Sequence, residues 1–166
     1  MDAGILDDLT GRWCIHSSEN LDAFLKMQRV PWLQRVLMRT TPVCNDIRRA
    51  PDGVTITVEV PGSTKMYHCR TDGTDYSVES MQGLPTVDDG PLQTARSVWQ
   101  GNTLVTTTAT AAAAAADRKT IRTERYIQRG SGESEMIVRH VVLCDDGNEV
   151  IATKRIFRRC DQTAPT

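Results

Sequence analysis

Long hydrophobic runs and aromatic side chains are both scarce in this 166-residue chain. It has three Trp, three Tyr and two Phe residues, and 39% of the chain is hydrophobic. No apolar run approaches the ~20 residues that a membrane-spanning helix needs. Met1 to Asp8 lack the basic and apolar segments of a secretory signal. We therefore expect a cytosolic protein that does not insert stably into membranes.

An excess of charge of either sign is also absent. The chain has 20 Lys and Arg residues and 21 Asp and Glu residues, for a formal net charge of -1. A protein that binds nucleic acid or an anionic membrane through its charge presents a basic surface instead. We therefore expect no nucleic-acid partner.

Motifs for metal binding are missing as well. The five cysteines are scattered along the chain, none of them forms a C-x-x-C pair, and the three histidines do not stand at zinc-binding spacing from them. The interpretation that follows is five free thiols in a reducing compartment, with no metal and no cofactor. These cysteines are Cys14, Cys44, Cys69, Cys144 and Cys160.

Catalytic motifs are absent in the same way. The sequence has no G-x-S-x-G, no H-E-x-x-H and no phosphate-binding loop with its lysine. His16, His68 and His140 belong to different predicted strands, so no histidine pair stands out from the sequence. We expect no enzymatic activity.

What the chain does contain is a regular series of turn signals, which predicts many short strands. Clusters rich in Gly, Pro, Asp and Asn separate segments with the alternating pattern of a half-buried strand. Counting Gly11–His16, about ten strands result, and ten antiparallel strands close most simply into an up-and-down barrel. The other predicted strands are Val43–Arg49, Val54–Val60, Thr64–Arg70, Thr74–Ser80, Leu92–Trp99, Thr103–Thr110, Lys119–Arg129, Met136–Cys144 and Glu149–Arg159.

Two short helices are predicted between the first two strands. Ser17 or Ser18 offers a hydroxyl to cap the first helix, which carries Leu21, Phe24 and Leu25 at helical spacing. Pro31 breaks that helix and suits the first turn of a second one, which ends before Pro42. Trp32, Leu33, Val36 and Leu37 supply the apolar stripe of the second helix.

The remaining segments are predicted from composition. The run Ala111–Ala116 favours helix over strand, but it lies where a hairpin should turn, and we expect an extended, variable connection there. A length of 166 residues favours one domain. We assign residues 1–160 to that domain and 161–166 to a disordered tail.

The two ends of the chain resemble one family. Gly11-Arg12-Trp13 followed by Ser18-Glu19-Asn20-Leu21-Asp22 is similar to the N-terminal signature of the intracellular fatty-acid-binding proteins. Asp117–Ile127 and Glu149–Arg159 resemble the two C-terminal strands with which that family holds its ligand. The resemblance implies a mainly β fold, a ten-stranded antiparallel up-and-down β-barrel under an N-terminal helix-turn-helix lid.

The resemblance also implies a binding site. The family holds a ligand carboxylate with an Arg on the first of these strands and an Arg-x-Tyr on the second, which correspond here to Arg125, Arg155 and Phe157. Phe157 is a departure, because it packs but cannot donate a hydrogen bond. Guanidinium groups suit this task, since they stay charged and match two carboxylate oxygens.

Strand alternation leaves two faces for these arginines. In one interpretation Arg125 shares an inward face with Ile121, Thr123 and Ile127, and Arg155 shares one with Thr153 and Phe157. In the other, both arginines face outward, and Arg122, Lys154 and Arg158 face inward. The same reasoning places Val138 and His140 on one face of the ninth strand, where family members line the cavity, although a hydrogen-bonded structural histidine fits equally well.

The lid contributes the remaining candidate ligand contacts: Leu21, Phe24, Leu25, Val30 and Leu33.

The predicted function is to bind a fatty acid or a similar apolar carboxylate in the barrel. The alternative is a non-enzymatic scaffold or interaction module whose lumen is filled by side chains, with long hairpins available to a protein partner. A haem-binding or retinoid-binding barrel is a third possibility.

Overall fold

A computed structural model of the chain describes residues 3–78, 93–110, 120–130 and 132–160. The described helices are α1 (Ala3–Leu9), α2 (Leu21–Met27) and α3 (Trp32–Thr40). The described strands are β1 (Gly11–Glu19), β2 (Cys44–Ala50), β3 (Gly53–Val60), β4 (Ser63–Arg70), β5 (Asp75–Val78), β6 (Gln93–Gln100), β7 (Thr103–Thr110), β8 (Thr120–Arg129), β9 (Ser134–Leu143) and β10 (Glu149–Arg159). Among these residues, no helix has the length and apolar character to cross a bilayer.

The ten strands form one antiparallel sheet that follows an up-and-down order. Except for β4 and β5, strands that follow one another in the sequence pair with each other, and β1 pairs with β10 to join the two ends of the chain. The helices α2 and α3 lie between β1 and β2 in the sequence. The predicted ten-stranded architecture with its helix-turn-helix lid is therefore confirmed.

The predicted closure of the sheet is not observed. The strands β4 and β5 approach each other at the two ends of the sheet order, but the described residues form no ladder between them. The connection between them folds on itself instead, because Asp72 Oδ1 accepts hydrogen bonds from the Thr74 backbone N–H at 3.0 Å and from the Thr74 hydroxyl at 2.6 Å. The barrel is open along this line.

Alternation along the strands separates an interior face from an outer face. On β10, Thr153, Arg155 and Phe157 are buried, whereas the residues between them are partly exposed. A larger cluster around Trp13 fills the interior at one end, and a smaller cluster beneath the lid fills the other. The smaller cluster consists of Leu21, Phe24, Leu25, Met38, Ile121 and Val142.

Helix α1 was not predicted, since the first ordered element was expected at Gly11. Its residues Leu6 and Leu9 are buried in the larger cluster. The indole N–H of Trp13 donates to the Leu9 carbonyl at 2.9 Å and so satisfies one of the carbonyls that a helix end leaves unpaired. Two apolar residues three apart were the available signal in the sequence.

The predicted cap of the first lid helix is wrong. Strand β1 continues through Ser17 and Ser18 to Glu19, where Lys154 and Arg155 of β10 are the partners of Glu19 and Ser18. The residue before the helix is Asn20, in the left-handed conformation with φ 58°. Its side-chain amide donates to the Ala152 carbonyl at 2.8 Å, so it holds the lid to β10 rather than capping α2.

The expected inward stripe of α3 is also wrong. Trp32, Leu33 and Leu37 are 67%, 62% and 56% exposed, and Met38 is the buried residue of this helix. Polar contacts hold α3 in place, because the Arg35 guanidinium binds the Asp22 carboxylate at 3.1 Å and donates to the Val30 carbonyl at 3.0 Å.

Some predictions fall outside the described residues. These are the connection Ala111–Ala116 and the tail at 161–166. The strand predicted at Thr74–Ser80 is described as far as Val78.

The contact between Trp13 and α1 gives a stability prediction. We expect Trp13→Phe to lower the free energy of unfolding by about 1–3 kcal/mol, because it leaves the buried Leu9 carbonyl without its donor. Urea denaturation followed by far-ultraviolet circular dichroism measures this change. Trp32→Phe is the matched control at an exposed position, with an expected change of at most about 0.5 kcal/mol. Equal effects of the two substitutions would contradict the role of Trp13.

Candidate functional site

Three rows of side chains cross the inner face of β6 to β10, each formed by residues that lie opposite one another in the ladders. The lid row lies under α2 and consists of Ala95, Thr108, Ile121, Val142 and Ile151. The polar row is next and consists of Ser97, Thr106, Thr123, His140 and Thr153. The arginine row is deepest and consists of Trp99, Leu104, Arg125, Val138 and Arg155.

The depth of each row follows from strand geometry. Consecutive rows are two residues apart on each strand, which corresponds to about 7 Å. The arginine row therefore lies about 13 Å below the lid row, and the polar row lies between them. Apolar, hydrogen-bonding and cationic groups thus follow one another from the lid into the barrel.

Arg125 is the most unusual side chain of the site. It has no exposed surface, and none of its three guanidinium nitrogens has a hydrogen-bond partner. Burial lowers the pKa of Arg125, although an arginine stays protonated at neutral pH. A full positive charge is therefore held in the interior with no counter-ion among the described residues.

Arg155 lies in the same row, on the far side of β9. It is 2% exposed, and its guanidinium carbon is 5.4 Å from the centre of the Phe157 ring. Burial lowers the pKa of Arg155 to about 10, and the positive charge of Arg125 contributes to the shift. The two arginines therefore repel each other, and each carries its charge at neutral pH.

The alternative orientation of these strands is excluded. Arg122 and Arg158, which would then face inward, form ion pairs on the outer surface instead. Arg122 binds Glu149, and Arg158 binds Glu135 at 2.9 Å. Both buried arginines lie on the interior face, as the first of the two interpretations expected.

His140 occupies the polar row above Val138. Its Nδ1 lies 3.0 Å from the Thr123 hydroxyl, and its Nε2 is buried without a hydrogen-bond partner. Burial holds the pKa of His140 well below its usual range, and Arg125 and Arg155 lower it further. The imidazole is therefore neutral at neutral pH, with one nitrogen available to a ligand.

Hydroxyl groups complete the polar row, and reasoning from the sequence did not identify them. The Tyr76 hydroxyl lies 2.6 Å from Ser97 Oγ, which in turn lies 2.8 Å from Thr106 Oγ1. The Thr153 hydroxyl donates to the Glu19 carbonyl at 2.7 Å. Serine and threonine on alternate positions of strands were the signal, but that pattern is equally typical of a solvated face.

The other predicted contact residues divide into two groups. Val138 is buried within the arginine row and Phe157 one row below it, and the Phe24 ring of the lid lies 6.3 Å from the His140 ring. Leu21 and Leu25 are buried beside Phe24, and Val30 is half-buried. Leu33 lies on the outer side of the lid, as described above. Their roles in ligand binding stay predictions.

The interior is densely filled around the cations. A side chain with no exposed surface touches no space large enough for a water molecule, and this holds for Arg125, His140 and Phe24. The clefts lined by Leu6 with the 49–53 turn, and by Ile15–Ser18 with the lid, open on the outer surface. A ligand of Arg125 must therefore displace side chains as it enters.

The expectation of five free thiols is wrong for three cysteines. The Sγ of Cys14 lies within bonding reach of both Cys44 Sγ and Cys160 Sγ. Cys69, which is buried, and Cys144, which is exposed, lie outside this cluster and form no disulfide. Cys14 is separated by 30 residues from Cys44 and by 146 residues from Cys160 along the chain, so no local sequence motif indicates this cluster.

Comparisons with known proteins support the fold. No protein-family model matches the chain, and no curated protein matches its sequence. The solved structure of a Schistosoma mansoni fatty acid binding protein in complex with arachidonic acid superposes with a TM-score of 0.72 at 17% identity, over 95% of this chain and 100% of that one. Apo lipid binding protein 8 of Caenorhabditis elegans superposes with a TM-score of 0.73 at 12% identity, over 93% of this chain and 96% of that one. Fatty-acid-binding protein 1 of Echinococcus granulosus superposes with a TM-score of 0.70 at 13% identity, over 93% of this chain and 99% of that one. The chain therefore has the fold of the fatty-acid-binding proteins, as its end motifs indicated.

The unpaired charge of Arg125 predicts a stability gain on its removal. We expect Arg125→Met to raise the free energy of unfolding of the delipidated protein by about 1–4 kcal/mol, because an apolar side chain of similar length replaces a buried cation. Arg122→Met, three residues away on the outer face, is the control, and loss of its surface ion pairs should cost at most about 1 kcal/mol. Denaturant unfolding measures both. A destabilised Arg125→Met protein would mean that the buried guanidinium has a counter-ion.

The lowered pKa of His140 predicts a pH dependence of stability. Below its usual value of 6.5 the unfolded state binds a proton that the folded state does not. Stability is therefore full above that value and falls as the pH drops, by up to about 1.4 kcal/mol per pH unit. We expect His140→Gln to flatten the slope measured by urea denaturation between about pH 5 and pH 8. His16→Gln removes an exposed imidazole as the control, and an unchanged slope in His140→Gln would refute the assignment.

Proposed function

We propose that this protein is a cytosolic lipid carrier that binds a fatty acid or a similar apolar carboxylate inside the barrel, with its head group at Arg125 and Arg155. The observation that carries the proposal is the fully buried Arg125 guanidinium, whose nitrogens have no hydrogen-bond partner in the described structure. A buried ion without a partner costs several kcal/mol, and an anion bound there offsets that cost.

The chemistry of the arginine row favours a carboxylate. A guanidinium group presents parallel N–H donors that match two carboxylate oxygens, and such charge-assisted bonds are about twice as strong as neutral ones. An anion between the two arginines also offsets their mutual repulsion, which adds to the effect of burial in lowering the pKa of Arg155 in the unliganded protein. One negative charge therefore stabilises both side chains.

The rows above the arginines suit the rest of such a ligand. The lid row and the lid residues Leu21, Phe24 and Leu25 form an apolar cluster. Each methylene group that is buried there contributes about 0.8 kcal/mol to binding. With the carboxylate in the arginine row, the chain of the ligand extends past the polar row towards the lid.

His140 is well placed to assist the head group. If the Thr123 hydroxyl donates to Nδ1, the tautomer that results carries its proton on Nε2, which is buried without a partner. A neutral imidazole that donates from Nε2 supplies a hydrogen bond to a carboxylate oxygen. It compensates in part for Phe157, which packs against Arg155 but has no hydroxyl to donate.

The structural neighbours are consistent with this proposal. The Schistosoma mansoni protein is a complex with arachidonic acid, a long-chain carboxylate of the proposed class. At 17% identity the likeness concerns the fold, and the ligand class for this chain rests on the buried arginines.

The second candidate function is a scaffold with a filled lumen. The observation in its favour is the absence of exposed surface on Arg125 and His140, which means that side chains occupy the space around them. In this case the buried charge specifies the packing of the barrel and receives no ligand. The lumen would then stay closed to fatty acids at any concentration.

Equilibrium titration of the delipidated protein with an anionic fluorescent fatty acid tests the proposal. We expect saturable binding, which Arg125→Met and Arg155→Met each weaken by about 10- to 100-fold, because each removes a charge-assisted hydrogen bond of about 1.5–3 kcal/mol. The methyl ester of the same probe should bind the unmodified protein more weakly, whereas the two variants should distinguish less between ester and acid.

The matched control is Arg122→Met, which removes a guanidinium from the outer face of the same strand and should leave the affinity unchanged. Circular dichroism establishes that each variant is folded. No saturable binding by the unmodified protein, together with no lipid in an organic extract of the purified protein, would favour the filled scaffold. Binding that is insensitive to both buried arginines would refute the head-group site alone.

A further inference from the structure

Three cysteines from distant parts of the chain meet on the outer face of the barrel. Cys14 on β1 lies directly opposite Cys44 on β2, with their Cα atoms 4.1 Å apart. Cys160 follows the last residue of β10, and its backbone N–H donates to the Arg12 carbonyl at 3.2 Å, which continues the pairing with β1. The Cα atoms of Cys14 and Cys160 are 5.9 Å apart.

The outer orientation of the cluster follows from alternation. Trp13 and Asn45, the neighbours of Cys14 and Cys44, are buried in the interior, so the two cysteines point away from it. The three side chains are half-buried. The cluster is therefore separated from the arginine row by the thickness of the sheet.

The number of cysteines exceeds what a disulfide uses. All three Sγ atoms lie within 4.8 Å of one another, and Cys14 is within reach of each of the other two. A sulfur atom enters only one disulfide, so the arrangement is not two disulfides at once. Three thiol groups that converge on one point are instead a ligand set.

We propose that the reduced protein binds one thiophilic d¹⁰ cation, Zn²⁺ or Cu⁺, through Cys14, Cys44 and Cys160. Thiolate sulfur is the ligand that these ions prefer in proteins. Each ligand is deprotonated on binding, so up to three protons pass to the solvent as three metal–sulfur bonds form. The described residues supply three ligands to the metal ion. A further coordination position is therefore left to water or to a small thiol.

Two ion pairs flank the cluster. Arg158 lies opposite Cys14 on β10, and Arg12 precedes Cys14 by two residues on the same face. Arg12 binds Glu59 at 2.6 Å, and Arg158 binds Glu135 at 2.9 Å. Glu59 is in turn the ladder partner of Cys44. Because each arginine is paired with a carboxylate, the proposal rests on the convergence of the three sulfur atoms.

The position of the site gives binding a second consequence. A cation bound to Cys14, Cys44 and Cys160 connects β1, β2 and the end of β10, and so reaches across the seam where the two ends of the chain pair. Because the unfolded chain does not hold three cysteines together, the metal binds the folded state preferentially and stabilises it by mass action.

Titration of the reduced full chain with Zn²⁺ and, anaerobically, with Cu⁺ tests the proposal by native mass spectrometry and competition with a chelator of known affinity. We expect one equivalent of at least one of the two ions, and the ratio of the two affinities identifies the preferred ion. Cys14→Ser, Cys44→Ser and Cys160→Ser should each weaken binding by at least about 100-fold, since even partners outside the ligand set change metal affinity by about 10- to 100-fold. Cys144→Ser, at an exposed free cysteine, is the control and should bind as the unmodified protein does.

Alkylation mapping supplies a measurement that needs no variant. The metal should protect the three peptides that contain the cluster from an alkylating reagent and leave Cys144 reactive. No bound metal at one equivalent, binding that survives all three serine substitutions, or a Cys14 that resists reduction and stays in a disulfide would each overturn the proposal. None of these outcomes bears on the titration with a fatty acid, which concerns the opposite face of the sheet.

Discussion

The interior of this barrel is organised around two guanidinium ions that are withdrawn from water. Arg125 and Arg155 lie in one row on either side of Val138, and burial and mutual repulsion lower the pKa of Arg155. Each neighbouring feature agrees with this constraint. His140 stays neutral above the arginines, and no carboxylate partner of Arg125 lies among the described residues. Burying a cation without a partner is costly, and in the function proposed above an anionic ligand offsets that cost.

The three rows show how an up-and-down sheet arranges such a site. In an antiparallel sheet, residues that lie opposite one another on the five neighbouring strands β6 to β10 form one row. Substitution of one residue on each strand therefore changes the chemistry of an entire row. Here the levels change from apolar to hydrogen-bonding to cationic with depth. A ligand that is apolar at one end and anionic at the other meets groups of matching character at every level. In the proposed function, the stability of the unliganded protein and its affinity for the ligand are opposed, because the same buried charge weakens the first and supports the second.

The sequence predicted the parts of this structure that depend on local pattern. Turn spacing located the strands, and alternation combined with the end motifs placed Arg125 and Arg155 on one inner face. The failures have physical causes. Ser17 and Ser18 have the composition of a helix cap, but pairing with β10 extends β1 through them, since tertiary contacts override local preference. Leu33 and Leu37 are apolar and four residues apart, yet the ion pair of Arg35 with Asp22 holds α3 with that stripe outward. The cysteine cluster depends on the pairing of β1 with both β2 and β10, which no local motif reveals.

The two proposed sites lie on opposite faces of the sheet, and both include residues of the strands at the seam between the chain ends. On β10, alternation turns Arg155 inward, and Cys160 beyond the end of the strand lies on the outer face. On β1, Trp13 packs in the interior while its neighbour Cys14 faces out. A link between Cys14 and Cys160 closes a loop of 146 residues, and the entropy that such a link removes from the unfolded chain grows with the length of the loop. The interior cations weaken the unliganded barrel, whereas a link at the seam strengthens it from outside. If both proposals hold, a thiolate site at this seam compensates for the cost of a charged interior without contributing an anion to it, and Arg125 and Arg155 stay available to the proposed ligand.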